Sequence, residues 1–251
     1  MDLNDKVENL VRTRYPGLEF ESEDTETIIQ GAFEFTARFD DEEKQYTINP
    51  LIDDARTIHD SYNLRIVLSA ESNFPDVFET DGRIPSQADF HKNSRDGSLC
   101  LVGPLDRSKE FTLDEFLDGP VMQFLYDQSY FQKYREWPRG EYSHGTLGLI
   151  ENYDDNIDHI ADIDYKCLQI LSNSPDRELY RDALVRQSQI RSDNQCICGS
   201  GKRYRDCKHI KVFNGLRKLQ KTVHEIQLQE RSQRRRGQKI EDGPITSFLS
   251  H

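Results

Sequence analysis

The spacing of apolar and polar positions changes several times along the 251 residues. Leu3, Val7, Leu10 and Val11 recur at helical spacing, and Tyr15-Pro16-Gly17 ends that segment. From 28 to 39 the period becomes two. Gly31, Phe33, Phe35, Ala37 and Phe39 alternate with polar residues or Thr, which predicts a half-buried strand. Residues 45–52 and 62–70 read as two more strands, and the three together suggest an antiparallel meander with one wet face. Turn signals follow at Asn73-Phe74-Pro75, Asp81-Gly82 and Ile84-Pro85, ahead of a loop carrying His91, Asn93 and Cys100. Thr112 with Glu115 three residues on forms a capping box, which predicts a helix over 112–134. Residues 146–190 read as mostly helical, with a break at Ser174-Pro175. Val212, Leu216, Leu219, Val223 and Ile226 then repeat four-three-four-three. That seam is short for a coiled-coil dimer and reads first as a helix packed on its own domain. Arg234-Arg235-Arg236 opens a polar tail expected to be mobile. The predicted class is α+β.

Charge divides the chain in two. The net charge is −12, yet residues 191–251 hold 14 Lys/Arg against 6 Asp/Glu, so the body before them is strongly acidic. An acidic body repels phosphate and argues against nucleic acid there. The basic end has no aromatic stripe for stacking bases, so RNA is not the expected partner. No apolar run approaches the ~20 residues that a membrane span needs. The first residues, MDLNDKVENL, have neither a basic nor an apolar leader region, so the expected location is the cytoplasm, with no membrane partner.

The five cysteines are unevenly spread. Cys100 and Cys167 stand alone, the latter in a stretch that reads as core, while Cys196, Cys198 and Cys207 cluster with His209. In a reducing compartment this reads as a metal site rather than a disulfide framework. Three thiolates and an imidazole match the four tetrahedral ligands of structural zinc, and Gly199 and Gly201 allow the tight turns around an ion. The stretch Cys196-Ile197-Cys198-Gly199-Ser200-Gly201-Lys202, with Tyr204 and Cys207, resembles the SEC-C motif named for the C-terminus of the SecA translocase. That resemblance implies an adaptor that binds other proteins. Here Lys208 separates His209 from the third cysteine, where the family places its fourth ligand directly after it. Gly199-Ser200-Gly201-Lys202 is not a phosphate loop, because Cys196 and Arg203 occupy the positions of its first Gly and its Ser/Thr.

The stretch from Ile84 to Pro104 carries the other candidate chemistry. A thiolate at Cys100 could attack an activated acyl group and hold it as a thioester, although an isolated cysteine is more often an inert small hydrophobe. The order of features resembles the ubiquitin-conjugating (UBC) enzymes: a strand meander, Phe74-Pro75, His91-Lys92-Asn93 in place of His-Pro-Asn, then Gly97-Ser98-Leu99-Cys100-Leu101. Lys92 replaces the motif proline. The segment after the cysteine, with Trp137-Pro138-Arg139-Gly140-Glu141 and His144-Gly145, is more similar to divergent bacterial relatives from CBASS anti-phage operons. The resemblance covers about residues 20–150. It implies a UBC-like fold with Cys100 as acyl acceptor and Asn93 steadying the oxyanion or the loop. His91 would hold the loop's geometry, and His144 would be either a base for the attacking amine or a structural histidine. It also implies a protein acyl donor, the C-terminus of a cyclic-oligonucleotide synthase; since no nucleotide-binding motif is present, activation must come from an ATP-dependent partner or from capture of an existing thioester or peptide bond. The alternative is a non-catalytic UBC-like scaffold with a zinc adaptor. The expected organisation is a UBC-like domain over 1–150, a helical extension over 151–190, the zinc motif over 191–212, and a basic helix with a mobile tail over 213–251.

Overall fold

Helix α1 (Leu3–Arg14) buries Val11 and stops where Tyr15-Pro16-Gly17 turns the chain into β1 (Leu18–Ser22). The 15-residue β2 (Glu26–Asp40) follows. The fold is that of a computed structural model, which describes residues 3–22, 26–69, 74–87, 90–93, 96–103, 105, 111–140, 143–236 and 244–249. Along β2, Phe33, Phe35, Ala37 and Phe39 are buried and Glu34 is exposed, the alternation that the sequence displays. At Gly31 the backbone has φ +129, and a Cβ there would lie 2.3 Å from the Gly17 carbonyl oxygen. Glycine is required at this crossing of β1 and β2, since any side chain would collide with backbone.

Two shorter strands and one long one complete the sheet: β3 (Gln45–Ile48), β4 (Thr57–Ser69) and β5 (Asp76–Glu79). All pairings are antiparallel, in the order β1-β2-β4-β5, with β3 on the far end of β2. The strand expected over 45–52 ends at Ile48, because Asn49 takes φ +47 and Pro50 follows. β1 and β5, four or five residues each, were too short to show a period in the sequence.

Helix α2 (Leu113–Phe116) starts on the capping box of Thr112 and Glu115. It continues through a wider π turn, Leu117–Val121, into α3 (Met122–Tyr134). Pro120 inside that turn has no N–H to donate, which accounts for the local widening. Phe116, Leu117, Val121, Met122, Leu125 and Tyr126 close over the inner face of the sheet. Tyr126 completes the packing with polar contacts. Its hydroxyl donates to the Arg56 carbonyl at 2.6 Å and accepts the Phe39 N–H at 3.2 Å. Helix, sheet and the Cys100 loop make one unit, Met1–Gly103 with Arg107–Glu141.

The second unit comprises Pro104–Asp106 and Tyr142–His251. It is helical: α4 (Gly145–Asn156), α5 (Ile163–Ser172), α6 (Arg177–Arg181) with the π turn Asp182–Arg186, α7 (Ile210–Arg235) and α8 (Pro244–Leu249). Leu149, Ile150, Tyr153, Leu168, Leu216 and Leu219 share its core with Leu105, Cys196, Tyr204, Phe248 and Leu249. The 212–226 seam is thus spent within the unit, with Val212, Leu216, Leu219 and Val223 buried and Ile226 packed at the edge. Two features differ from the expectation for the C-terminal region. Helix α7 runs through the triple arginine to Arg235, and Phe248 and Leu249 are buried rather than part of a polar tail. Residues 237–243 and 250–251 of the expected tail lie outside the described residues. The class is α+β with an antiparallel sheet, as the sequence predicted.

Candidate functional site

The Cys/His loop is built from a tight hairpin and the start of α7. Cys196 N–H donates to the Lys202 carbonyl at 2.7 Å, and Gln195 and Arg203 pair beside it. Between them the chain reverses through Gly199 at φ +76 and Gly201 at φ +74, conformations that L-residues with side chains rarely adopt. A short 3₁₀ turn, Tyr204–Asp206, then delivers Cys207, and His209 stands immediately before α7. Tyr204 anchors this return leg in the core, its ring 5.4 Å from that of Phe213.

One ligand atom from each of Cys196, Cys198, Cys207 and His209 lies within 4.8 Å of all the others. Cys198 Sγ is 3.7 Å from Cys207 Sγ, and His209 Nδ1 is 3.2 Å from Cys207 Sγ and 4.0 Å from Cys196 Sγ. Zinc bond lengths at a tetrahedral angle put sulfur–sulfur edges at ~3.8 Å and sulfur–nitrogen edges at ~3.5 Å. The Cys198–Cys207 and Cys207–His209 edges are close to those of such a site and all four donors are gathered within 4.8 Å; three thiols with one imidazole are a donor set that zinc takes. His209 presents Nδ1, so Lys208 is accommodated as a spacer that lets the imidazole turn back toward Cys207.

Backbone N–H groups support the sulfurs in a repeating way. Each of Cys196, Cys198 and Cys207 receives the N–H of the residue two positions on. Burial pushes the Cys196 thiol up to about 12. Burial works upward on Cys198 as well, but the hydroxyl and N–H of Ser200, together with the Cys196 and Cys207 side chains, outweigh it and bring that thiol down to about 7. Ser200 Oγ lies 3.1 Å from Cys198 Sγ and 3.8 Å from Cys207 Sγ. Sequence reasoning gave Ser200 no role, although the Gly-Ser-Gly turn was the available signal.

The second candidate is a hairpin of the first unit. Lys92 and Leu99 form an antiparallel bridge, Asn93 N–H donates to the Ser98 carbonyl at 2.8 Å, and Cys100 N–H donates to the His91 carbonyl at 2.8 Å. His91 and Cys100 are thus brought together across the hairpin. Gly97, at φ +81, turns the tip. His91 has φ +55, which costs a non-glycine residue ~1–2 kcal/mol. Its ring packs edge-on against Trp137 at 5.7 Å. The Asn93 side chain donates to Ser98 Oγ at 2.8 Å. Cys100 is half-buried, with its Sγ 4.0 Å from the Val102 carbonyl oxygen.

The remaining expected residues fall elsewhere. His144 occupies the N-cap position of α4 in the second unit, with extended backbone, so each unit holds part of the expected catalytic set. Cys167 is fully buried in the second core and burial raises its thiol far above the ordinary range. A groove of about 680 Å³ in the first unit is lined by Tyr15, Phe33, Phe35, His59 and Met122 among others, and by no residue of the 91–100 hairpin. Among the described residues no helix is long and apolar enough to cross a membrane. No protein-family model, no curated protein and no solved structure matches the chain.

Proposed function

We propose that the first unit is a cysteine-dependent acyl carrier of the ubiquitin-conjugating kind and that the second is a zinc-stapled adaptor. The observation that carries the reading is the hairpin: a half-buried thiol with its backbone anchored on a strained histidine and an asparagine on the same turn. The layout around it supports the reading too. An N-terminal helix, an antiparallel meander, a cysteine loop and then a helix across the sheet follow in the order that the UBC resemblance implies.

In the proposed reaction the Cys100 thiolate attacks the activated C-terminal carbonyl of a protein donor. The carbon–sulfur bond forms, the bond to the donor's leaving group breaks, and that group takes the proton. An acceptor amine then displaces Cys100, forming an amide and restoring the thiol. Asn93 would donate to the oxyanion, and His91 holds the loop. The donor must arrive already activated, as a thioester or through an activating partner; a cyclic-oligonucleotide synthase is the donor that the resemblance implies. Zinc, when bound by Cys196, Cys198, Cys207 and His209, ties the hairpin to α7 and leaves no open coordination position. Cysteines gathered as metal ligands rather than disulfides fit a cytoplasmic setting.

Intact-mass analysis of the protein isolated from its host tests this. An adduct on Cys100 that hydroxylamine cleaves, replaced by a stable ester in Cys100→Ser, is expected, and the released fragment identifies the donor. No adduct in either sample, with the neighbouring gene products present, refutes it. One observation favours a second reading, a non-catalytic scaffold: the Asn93 amide is already bonded to Ser98. Full biological activity of Cys100→Ser would select that reading.

A further inference from the structure

The Lys92 side chain is 7% exposed and the Glu79 side chain 0%. Charged groups are rarely so buried, and two of opposite sign here face each other at 3.2 Å, Lys92 Nζ to Glu79 Oε2. The contacts extend on both sides. Glu79, the last residue of β5, accepts the Arg83 N–H at 3.0 Å and the Ile84 N–H at 3.2 Å, and Lys92 Nζ donates to the Ile84 carbonyl at 2.9 Å. The pair therefore joins three pieces of chain: the end of β5, the turn after it, and the first leg of the Cys100 hairpin. A second tie runs parallel to it, from Leu99 N–H to the Val77 carbonyl at 2.7 Å.

Lys92 follows His91 and is the bridge partner of Leu99, the residue before Cys100. Strand-like segments reverse their faces when pairing slips by one residue. A slip of this hairpin would pull the ammonium from its carboxylate and turn the Cys100 thiol to the opposite side. A buried ion pair adds little net stability over an apolar pair of similar volume, but it can specify register, because the slipped state leaves a buried charge unpaired. Lys92 is also the position where the UBC resemblance departs from its proline, so a rigid ring in the motif is here replaced by a charge clamp.

We propose that Lys92 is a positioning residue for Cys100: its buried pair with Glu79 fixes the register of the 91–100 hairpin against β5 and thereby the direction in which the thiol is offered. The proposal rests on the acyl-carrier reading for its chemistry and on the hairpin contacts for its geometry.

The full chain is compared as wild type, Lys92→Met, and Lys92→Met/Glu79→Gln. The double variant leaves no unpaired charge and keeps one acceptor oxygen, enough for the Arg83 or the Ile84 N–H but not for both. Three quantities are read: the thermal midpoint, hydrogen exchange at the Cys100 amide, and acyl transfer to Cys100 from a short peptide thioester of mercaptoethanesulfonate. In that transfer the Cys100 thiolate displaces mercaptoethanesulfonate, which leaves as the thiol. The double variant is expected to melt above Lys92→Met, since it buries no unpaired charge, and below the wild type, since it gives up hydrogen bonds of the Ile84 backbone, while its Cys100 amide exchanges about tenfold faster and its acyl transfer falls about tenfold or more, the scale of loss from a small misplacement of a reacting group. A double variant with wild-type transfer and wild-type exchange overturns the proposal and leaves the pair a stability feature. If the wild type takes no acyl group beyond the Cys100→Ser control, the acyl-carrier reading fails. Amide exchange then decides the clamp alone: quickening upholds it and no change overturns it. Should Lys92→Met fail to fold, the double variant still decides.

Discussion

Removing the metal from the Cys/His cluster tests the second unit most directly. Two edges, Cys198–Cys207 and Cys207–His209, lie within a few tenths of an ångström of tetrahedral values, and all four donors are gathered within 4.8 Å in the folded loop. An unfolded chain offers no such arrangement, and the ion therefore binds the folded state preferentially. At free zinc a thousandfold above its dissociation constant, that preference is worth ~4 kcal/mol. This is a large share of the ~5–15 kcal/mol that keeps a typical domain folded. For a unit of this size each kcal/mol moves the midpoint by ~4 °C, so chelation is expected to lower the second unit's melting temperature by roughly 15 °C. The loss should stay local. Cys196 and Tyr204 belong to the core of the second unit, and no ligand comes from the first. Differential scanning calorimetry with and without a strong chelator, beside metal analysis of the purified chain, is the assay. One zinc per chain is expected, with the sheet-bearing unit melting unchanged, and Cys198→Ser should reproduce the chelated trace. A metal-free chain at saturating zinc, or a midpoint unmoved by the chelator, refutes the reasoning.

Three other perturbations have outcomes set by particular contacts. At Gly215 a Cβ would lie 2.7 Å from Ile150 Cγ2 and 2.8 Å from the Ile150 carbonyl oxygen, so Gly215→Val should force α4 and α7 apart and cost ~1–3 kcal/mol; an unchanged urea midpoint would count against this close crossing. Tyr126→Phe removes the partner of the Arg56 carbonyl and the Phe39 N–H and should cost ~1–2 kcal/mol by the same measurement. Asp60 is held below the ordinary carboxylate range. Burial works upward on it, but the Arg83 guanidinium, the Ser129 hydroxyl and the Ser61 N–H outweigh that. Its contribution to stability should therefore be complete above the unfolded value of about 4 and be lost as pH falls through the lower folded value. Asp60→Asn should flatten the acid limb of stability against pH, and a variant with the wild-type slope would show that other carboxylates set it.

Elements with a long or strongly periodic pattern were legible from residues alone. β2 shows its alternation over four buried side chains, and the α2 start is marked by Thr112 and Glu115. The seam from Val212 to Ile226 was equally readable as a helix buried in its own unit. The failures have physical causes. β1 and β5 are edge strands of five and four residues, defined by what they pair with rather than by their own pattern. The triple arginine looked like the start of a polar tail, yet arginine is a good helix former and a cation at a helix C-terminus is favoured by the helix dipole. Phe248 and Leu249 were invisible as core because an isolated pair of apolar residues near a terminus carries no period.

The two candidate sites differ in the range of the interactions that shape them, and that difference decided how much could be read. The candidate metal site is local. Four ligands, two glycines at positive φ and the N–H supports all lie between Cys196 and His209, so their spacing alone specifies the chemistry. Only Ser200, whose hydroxyl reaches two of the sulfurs, needed coordinates to find. The Cys100 hairpin is local in its residues but not in its geometry. The spacing of His91, Asn93 and Cys100 suggested a thiol loop, while its orientation depends on Glu79 and Val77 from β5, on Gln128 of α3, whose amide donates to the Phe90 carbonyl at 3.0 Å, and on Trp137 beyond it. Lys92 read as a defect in a motif because its partner is 13 residues upstream in a strand too short to recognise. On the proposed reading, the position keeps its task with a different residue. Proline restricts a loop through its own ring, and a buried lysine restricts it through a carboxylate held elsewhere, at the cost of depending on that carboxylate.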